Sequence, residues 1–443
     1  MILYIFNCNR FRLGIYCSGT QLNKGSPMHE LDRLQQIAEN MKTEQLSHKE
    51  LIAQRTHINV SDEEIDGMDR LIYNHSLNKK GFREFTKLAP ITFQNRIRKA
   101  IDEGVIPEPI YQNKQHLFTR MHIHTLMDHW GMQKYSDKYK PRSVAVENQK
   151  GGTGKSSTAA ILATASALDL NMNAKVLLID LDSQGTLGQS MISTNVEDEA
   201  IYLTAVDIAL GKMERTGDYA SLVEAGYTDR EIILNAPFST HLPNLDVMPA
   251  FNTDERFHDL FWQAQSNEDK TKLISRFAHE VIPVLKEKYD LIFIDTPPQE
   301  SPLIWMVNEA LDCLLVPISP REYDFAATTN YLMTTHARFE GLPSKGENLL
   351  WTRVLIVNHD EKSPSELDVI DKLSRTVQDR LLSTYIVHSE LIATAAELNR
   401  TALDVAKSEK RVAPKKHDEA MTSINSVYKQ FIREITSISV KGK

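Results

Sequence analysis

Apolar residues near the start of the chain recur at helical spacing. Leu31, Leu34, Ile37, Ala38 and Met41 fall every three or four positions, which predicts an amphipathic helix within residues 29–56. A second helical stretch is expected from Ser61, where Ser61-Asp62-Glu63-Glu64 has the form of a capping box. Asn78-Lys79-Lys80-Gly81 interrupts that pattern. Phe82, Phe85, Leu88, Ile91, Phe93, Ile97, Ile101 and Val105 then supply a compact helical core, closed by Gly104 with Pro107 and Pro109 beyond it. Residues 110–119 alternate in polarity around Asn113-Lys114 as a β-hairpin does, and a last helix is expected over 121–130.

That order (helix, helix, hairpin, helix) is the order of a winged helix-turn-helix. The stretch 131–142, rich in Lys and Tyr and ending near Pro141, reads as a linker. Beyond it the period changes. Short β-branched runs recur at Ser143–Glu147, Lys175–Ile179, Leu245–Met248, Leu291–Ile294, Cys313–Ile318, Val354–Val357 and Tyr385–Val387. Helical segments such as Ser156–Leu170, Lys272–Lys286 and Phe325–Phe339 separate most of them. Strands alternating with helices predict an α/β, doubly wound and mostly parallel sheet, with ligands at the carboxyl ends of its strands. The expected organisation is an extension over 1–27 upstream of a start at Met28, N-terminal helices able to dimerise over 28–80, and a winged helix-turn-helix over 81–135. A linker over 136–142 leads to the α/β domain, 143–443.

Composition narrows the class. With 443 residues, 41% of them hydrophobic and 25% charged, the chain can bury the cores of two or three domains. Its cysteines, Cys8, Cys17 and Cys313, have neither metal-ligand spacing nor a disulfide framework, which points to a reducing cytoplasm. No apolar run approaches the roughly 20 residues that span a bilayer. The net charge of −8 argues against indiscriminate binding of nucleic acid by the whole molecule. Charge is nevertheless segregated: residues 82–142 hold eleven Lys and Arg against six Asp and Glu, a net +5, so the remainder carries −13.

The densest chemistry follows the strand at Val144–Glu147. Lys150-Gly151-Gly152-Thr153-Gly154-Lys155-Ser156, with Ser157 beginning the helix, is a glycine-rich phosphate loop between a strand and a helix. Glycines let backbone N–H groups converge on phosphate oxygens, and the helix N-terminus adds partial positive charge. Lys155 is expected to bridge the β- and γ-phosphates, and the Ser156 hydroxyl to ligate Mg²⁺. The competing reading is a glycine-rich turn before an ordinary helix.

The second lysine, Lys150, gives the loop its resemblance: it is similar to the deviant Walker A motif of the ParA/MinD ATPases. Asp180-Leu181-Asp182-Ser183-Gln184-Gly185 resembles that family's second motif, with Ser183 where a proline is usual, and Asp290–Pro298 resembles its Walker B strand. The resemblance implies an ATPase using ATP and Mg²⁺. Lys150 would act in trans across a homodimer, Asp182 would orient the attacking water, Asp180 and Asp295 would order the metal, and Asn358 and Pro317 would contact the base.

Within that family, DNA-bound partition ATPases compete with membrane-bound positioning ATPases of the MinD type and with iron–sulphur reductases. Cys313 lies alone in an apolar strand, against the reductases. The helix Ile424–Ile438 has few lysines on its polar face, so docking on the sheet is favoured over a membrane. DNA has two candidate surfaces. Gln94, Asn95, Arg96, Arg98 and Lys99 would line a recognition helix, with Lys114 on the wing; the bland alternative is a solvated basic helix in a dimerisation module. Arg400, Lys407, Lys410 and Arg411 form a later cluster that resembles the nonspecific DNA surface of ParA proteins, or is simply solvated. The expectation is a nucleoid-associated partition ATPase working with a ParB-like centromere-binding protein, with no membrane partner, and also binding its own operator. The alternative is an ATP-responsive transcriptional regulator without a partition role.

Overall fold

The computed structural model describes residues 36, 39, 41, 70–112, 114–183, 187–192, 203–214 and 216–442. All but the first three lie in one compact unit, Ile58–Lys443. Gln36, Glu39 and Met41 are helical; the rest of the helix expected over 29–56, the capping box at Ser61 and the extension 1–27 fall outside the described residues.

The N-terminal module begins with the helix Arg70–His75 and strand β1 (Leu77–Asn78), then the helices Lys79–Thr86 and Pro90–Asp102. The hairpin β2 (Ile110–Gln112) and β3 (Gln115–Phe118) and the helix Arg120–His129 complete it. β3 is central, antiparallel to both β1 and β2. Asn78 caps its helix by accepting from the Gly81 N–H at 2.8 Å, so the residues that break the first pattern start the next helix. The helix 90–102 is followed by Gly104 in the left-handed region, φ 70°. Phe82, Phe93, Ile97, Phe118, Ile123 and Leu126 fill the core. Ile91, expected there, is instead 76% exposed, because one residue past Pro90 the helix faces away from that core.

The stretch expected as a linker is fixed in place. It holds a helical turn, Tyr135–Lys138, and Tyr135 is buried. The Lys140 N–H donates to the Ser439 carbonyl at 2.7 Å, tying the segment to the end of the last helix. Composition did not reveal this, because its tyrosines pack while its lysines stay wet.

The α/β body carries seven strands in the order β10-β9-β4-β8-β5-β7-β6. These are β4 (Arg142–Val146), β5 (Val176–Asp180), β6 (Phe238–Ser239), β7 (Leu245–Met248), β8 (Leu291–Asp295), β9 (Cys313–Ile318) and β10 (Trp351–Ile356). All neighbours are parallel except β6, which runs antiparallel to β7. β4, β5, β8 and β9 are buried along their whole length, as strands covered on both faces must be. Tyr385–Val387 makes no strand; its backbone joins the sheet edge through the Ile386 N–H, which donates to the Ile356 carbonyl at 3.0 Å, and through an isolated bridge between His359 and Val387. Cys313 is core. The last helix, Pro414–Ser439, buries Val427, Phe431, Ile432 and Ile435 against the body, as its apolar face predicts. Among the described residues no helix is long and apolar enough to cross a membrane.

Candidate nucleotide site

β4 ends in Val146, and two buried polar residues follow, Glu147 and Asn148. The Asn148 side chain fixes the entrance of the loop: Nδ2 donates to the Pro317 carbonyl at 2.9 Å and to Thr328 Oγ1 at 3.1 Å, while Oδ1 accepts from the Lys150 N–H at 3.2 Å. Gly152 and Gly154 take φ of 76° and 72°, conformations that other residues reach only under strain. The helix Lys155–Leu168 starts at once, so its free N–H groups face into the loop. Thr153 Oγ1 and Lys155 Nζ both donate to the Lys150 carbonyl, at 3.1 and 3.4 Å, curling the loop on itself.

Parallel register brings the acids to this loop. Val146 of β4 and Asp180 of β5 both pair with Asp295 of β8. Asp180 is held on both oxygens: Oδ1 accepts from the Asp182 N–H at 3.0 Å and Oδ2 from the Gly188 N–H at 2.8 Å. A Cβ on Gly188 would stand 2.7 Å from Pro249 Cα, so only glycine lets the chain come this close. Burial, partly offset by those bonds, pushes the Asp180 carboxyl up to about 6. Asp182 is half-buried beside it, and Ser183, at the proline position of the family motif, donates to Glu255 Oε1 at 3.3 Å.

Asp295 is fully buried, and neither of its carboxylate oxygens receives a hydrogen bond of acceptable geometry. Burial first, then the negative charge of Asp180, raises its pKa well above the ordinary value, while the nearby Ser156 hydroxyl and Lys155 ammonium oppose the shift. Lys155 itself is buried, and desolvation lowers its pKa against the pull of Asp295, Asp182 and Glu147. An unpartnered buried carboxylate costs several kcal/mol unless a cation or proton meets it. The donor set of Asp295, Asp180 and the Ser156 hydroxyl, all oxygen, fits a hard divalent cation such as Mg²⁺.

Lys150 does not reach outward. Its ammonium is ion-paired with the buried carboxylate of Asp324, at the start of the helix Glu322–Gly341 of the same chain. Pro317 is buried within β9 and supports the loop through its carbonyl. Asn358, at φ 55°, follows Val357, whose Cγ2 lies 3.4 Å from where a Cβ on Gly154 would stand; its Oδ1 meets His388 Nδ1 at 2.6 Å. The residues that the motifs do not name are Glu147 and Arg338, joined at 2.7 Å with both side chains nearly inaccessible, and Asn148 and Asp324. Only the polarity of Glu147 and Asn148 at a strand's end hints at them in the sequence.

In the N-terminal module Gln94, Asn95, Arg96, Arg98 and Lys99 are all exposed above buried Phe93, Ile97 and Ala100, and Lys114 tips the hairpin. The later basic cluster is less open than its charge suggests. Arg400 turns inward to Glu409 at 3.4 Å with its side chain 8% exposed, and Lys407 pairs with Asp418 at 2.5 Å. Lys410 stays exposed and Arg411 half-exposed.

A parallel sheet with a glycine-rich loop between β4 and its helix, and an acid at the end of β8, defines a P-loop ATPase. The AAA domain family matches residues 141–340. The Bacillus subtilis sporulation initiation inhibitor protein Soj is 25% identical over 259 residues, 57% of this chain and 86% of its own length. A Sinorhizobium fredii protein with the provisional description replication protein A is 27% identical over 296 residues, 65% of this chain. The chain spans about two thirds of the length of that relative and of a second from Rhizobium rhizogenes. A solved partition protein superposes over 84% of this chain and 94% of its own with a TM-score of 0.60 at 18% identity, a likeness of fold. The chain is a P-loop ATPase, and its sequence is similar to the ParA and Soj proteins.

The buried aspartates predict an inverted pH dependence for the nucleotide-free protein. A carboxyl whose folded pKa is raised favours folding below the unfolded pKa, about pH 4, and loses that contribution as pH rises through the folded value. For Asp180 the window runs from there to about 6; for Asp295 it extends higher. Asp295→Asn should therefore raise the thermal midpoint of the nucleotide-free chain near neutral pH, with the gain shrinking towards about pH 4. A variant equally destabilised at both ends of a pH 4–8 series would contradict this electrostatic reading.

Proposed function

We propose that this chain is a ParA-type ATPase for DNA partition, in which ATP converts a monomer into a dimer that binds DNA without sequence preference. The observation that carries the nucleotide chemistry is the orphaned Asp295 carboxylate beside Lys155 and Ser156. Asp295, Asp180 and Ser156 would hold Mg²⁺, which when bound neutralises phosphate charge. Lys155 and the amides of Gly151 to Ser156, with Ser157 in the first helical turn, would cradle the β- and γ-phosphates. Asp182 would orient the attacking water, and Asn358 would lie against the base. Phosphoryl transfer asks little more of the protein than position and charge, which this arrangement supplies.

Lys150 is the proposed switch. Paired with Asp324 it is internally satisfied. A γ-phosphate from a second protomer offers the ammonium a more highly charged partner, so dimer closure would exchange one ion pair for another. Support for the partition role comes from the relatives, among them the Escherichia coli plasmid partition protein A, 24% identical over 230 residues. The N-terminal module suits a winged helix-turn-helix reading operator DNA: its basic positions are exposed on one helix face while the apolar face is consumed by the core. A ParB-like protein would stimulate turnover.

The lysines separate binding from assembly. Lys155→Ala should abolish turnover, whereas Lys150→Ala should bind ATP with little change yet lose ATP-dependent dimerisation in sedimentation experiments; Asp324→Asn, freeing Lys150, should dimerise at lower ATP. Normal dimerisation by Lys150→Ala would refute the trans-lysine switch.

DNA binding separates the two surfaces. With ATP, affinity for random duplex DNA should fall steeply between low and physiological salt, as counterion release requires. Arg96→Ala with Arg98→Ala should weaken operator binding and leave this nonspecific binding intact. Binding to random DNA that is identical with ATP, ADP and no nucleotide would overturn the partition reading in favour of an operator-binding regulator.

A further inference from the structure

We propose that His75, His241 and Asp404 form a binding site for a divalent cation of the Zn²⁺ type, which clasps the N-terminal module to the ATPase body. Three segments remote in sequence supply these residues: the end of the helix Arg70–His75, the turn between β6 and β7, and the short turn Ala402–Asp404. All three side chains are 10% exposed or less. Both imidazoles aim Nε2 at the same oxygen, Asp404 Oδ1, at 2.8 Å from His75 and 3.0 Å from His241, and the three ligand atoms lie within 4.8 Å of one another. The rings stack at a centroid distance of 5.5 Å and 23°, so their nitrogens share one side of the pair.

The carboxylate is already aimed. Asp404 Oδ2 accepts from the Thr401 N–H at 2.9 Å and the Thr401 hydroxyl at 2.6 Å, leaving Oδ1 to face the imidazoles. Such outer contacts orient metal ligands. Zn–N and Zn–O bonds of about 2.0–2.1 Å in a tetrahedron place ligand atoms about 3.4 Å apart. The nitrogens need retreat only roughly half an ångström from Oδ1 to admit the ion. Two imidazoles and one carboxylate suit a borderline cation such as Zn²⁺ rather than Mg²⁺ or Ca²⁺, and the fourth position would go to water beside His241, the most exposed of the three side chains. The cation takes the place of the Nε2 protons. In a neutral ring that proton shifts from Nε2 to Nδ1, with no net release, whereas an imidazolium gives one proton to solvent.

The site joins the module to the neighbourhood of the nucleotide. Asn74 Nδ2 donates to the Asp404 carbonyl at 2.9 Å and to Glu409 Oε1 at 2.7 Å, so the same helix end is gripped twice. Thr401, which aims Asp404, also lines a cavity of about 310 Å³ with Ser156 and Ser157 of the phosphate loop. A cation here would stiffen the seam along which nucleotide state could reach the N-terminal module.

The test uses the full chain with Cys8→Ser and Cys17→Ser, stripped by chelator and titrated calorimetrically with Zn²⁺ alone. One ion per chain is expected, with affinity reduced about 100-fold or more by His75→Asn and by His241→Asn, each of which keeps a side-chain amide able to bond Asp404. The wild-type thermal midpoint should rise with Zn²⁺ and that of the variants should not. If the variants fail to fold, Co²⁺ bound to the unaltered histidines decides: an intense visible band from a tetrahedral site supports the proposal, and a weak octahedral spectrum overturns it. Absence of stoichiometric Zn²⁺, or binding that survives both histidine changes but is lost in Asp295→Asn, also overturns it.

Discussion

The parallel register that sets Asp180 directly beside Asp295 forces two carboxyl groups into one buried corner, with Lys155 as the nearest cation. Lys155 and the Ser156 hydroxyl offset only part of that charge. Asp180 is held by backbone N–H groups, but Asp295 is left with two bare oxygens, and burial raises its pKa well above the ordinary value. The cost is concentrated where a phosphate chain and a divalent cation would relieve it, so burial of this carboxylate would favour binding of both. The remaining structure serves this corner: buried strands fix the register, glycines let the loop turn, and Asn148 anchors its entrance.

A second constraint concerns the charge at the entrance of the loop. Lys150 is satisfied within its own chain by Asp324, whose carboxylate is buried while the lysine side chain is about one third exposed. An ion pair of this kind spares the buried Asp324 carboxylate the cost of an unpaired charge. The buried pair of Glu147 and Arg338 lies behind the same loop, and Arg338 also reaches Glu300 at 2.8 Å. The loop thus rests on a polar network that connects β4 to the helix Glu322–Gly341, and movement of that helix would be felt at the phosphates.

The sequence made the fold's frame legible because fully buried parallel strands must be continuous apolar runs; Leu245–Met248 and Cys313–Ile318 were bounded to the residue. It misled where composition is not geometry. Tyr385–Val387 has a strand's residues but meets the sheet edge through a few backbone bonds and an isolated bridge, and Phe238–Ser239 is too short to register as a pattern. The phosphate loop was legible because its chemistry is local, whereas Asp324 and Arg338 act on the loop from a helix far along the chain. Arg400 was read as surface charge because a guanidinium buried against Glu409 looks the same in sequence as one in water.

Calorimetric titration of the full chain with a nonhydrolysable ATP analogue, with and without Mg²⁺, tests the central claim most directly. The account predicts one nucleotide per chain, bound at least about tenfold more weakly when Mg²⁺ is removed, because the Asp180–Asp295 corner then repels the triphosphate. Binding of equal strength with and without Mg²⁺, or none at all, would contradict it.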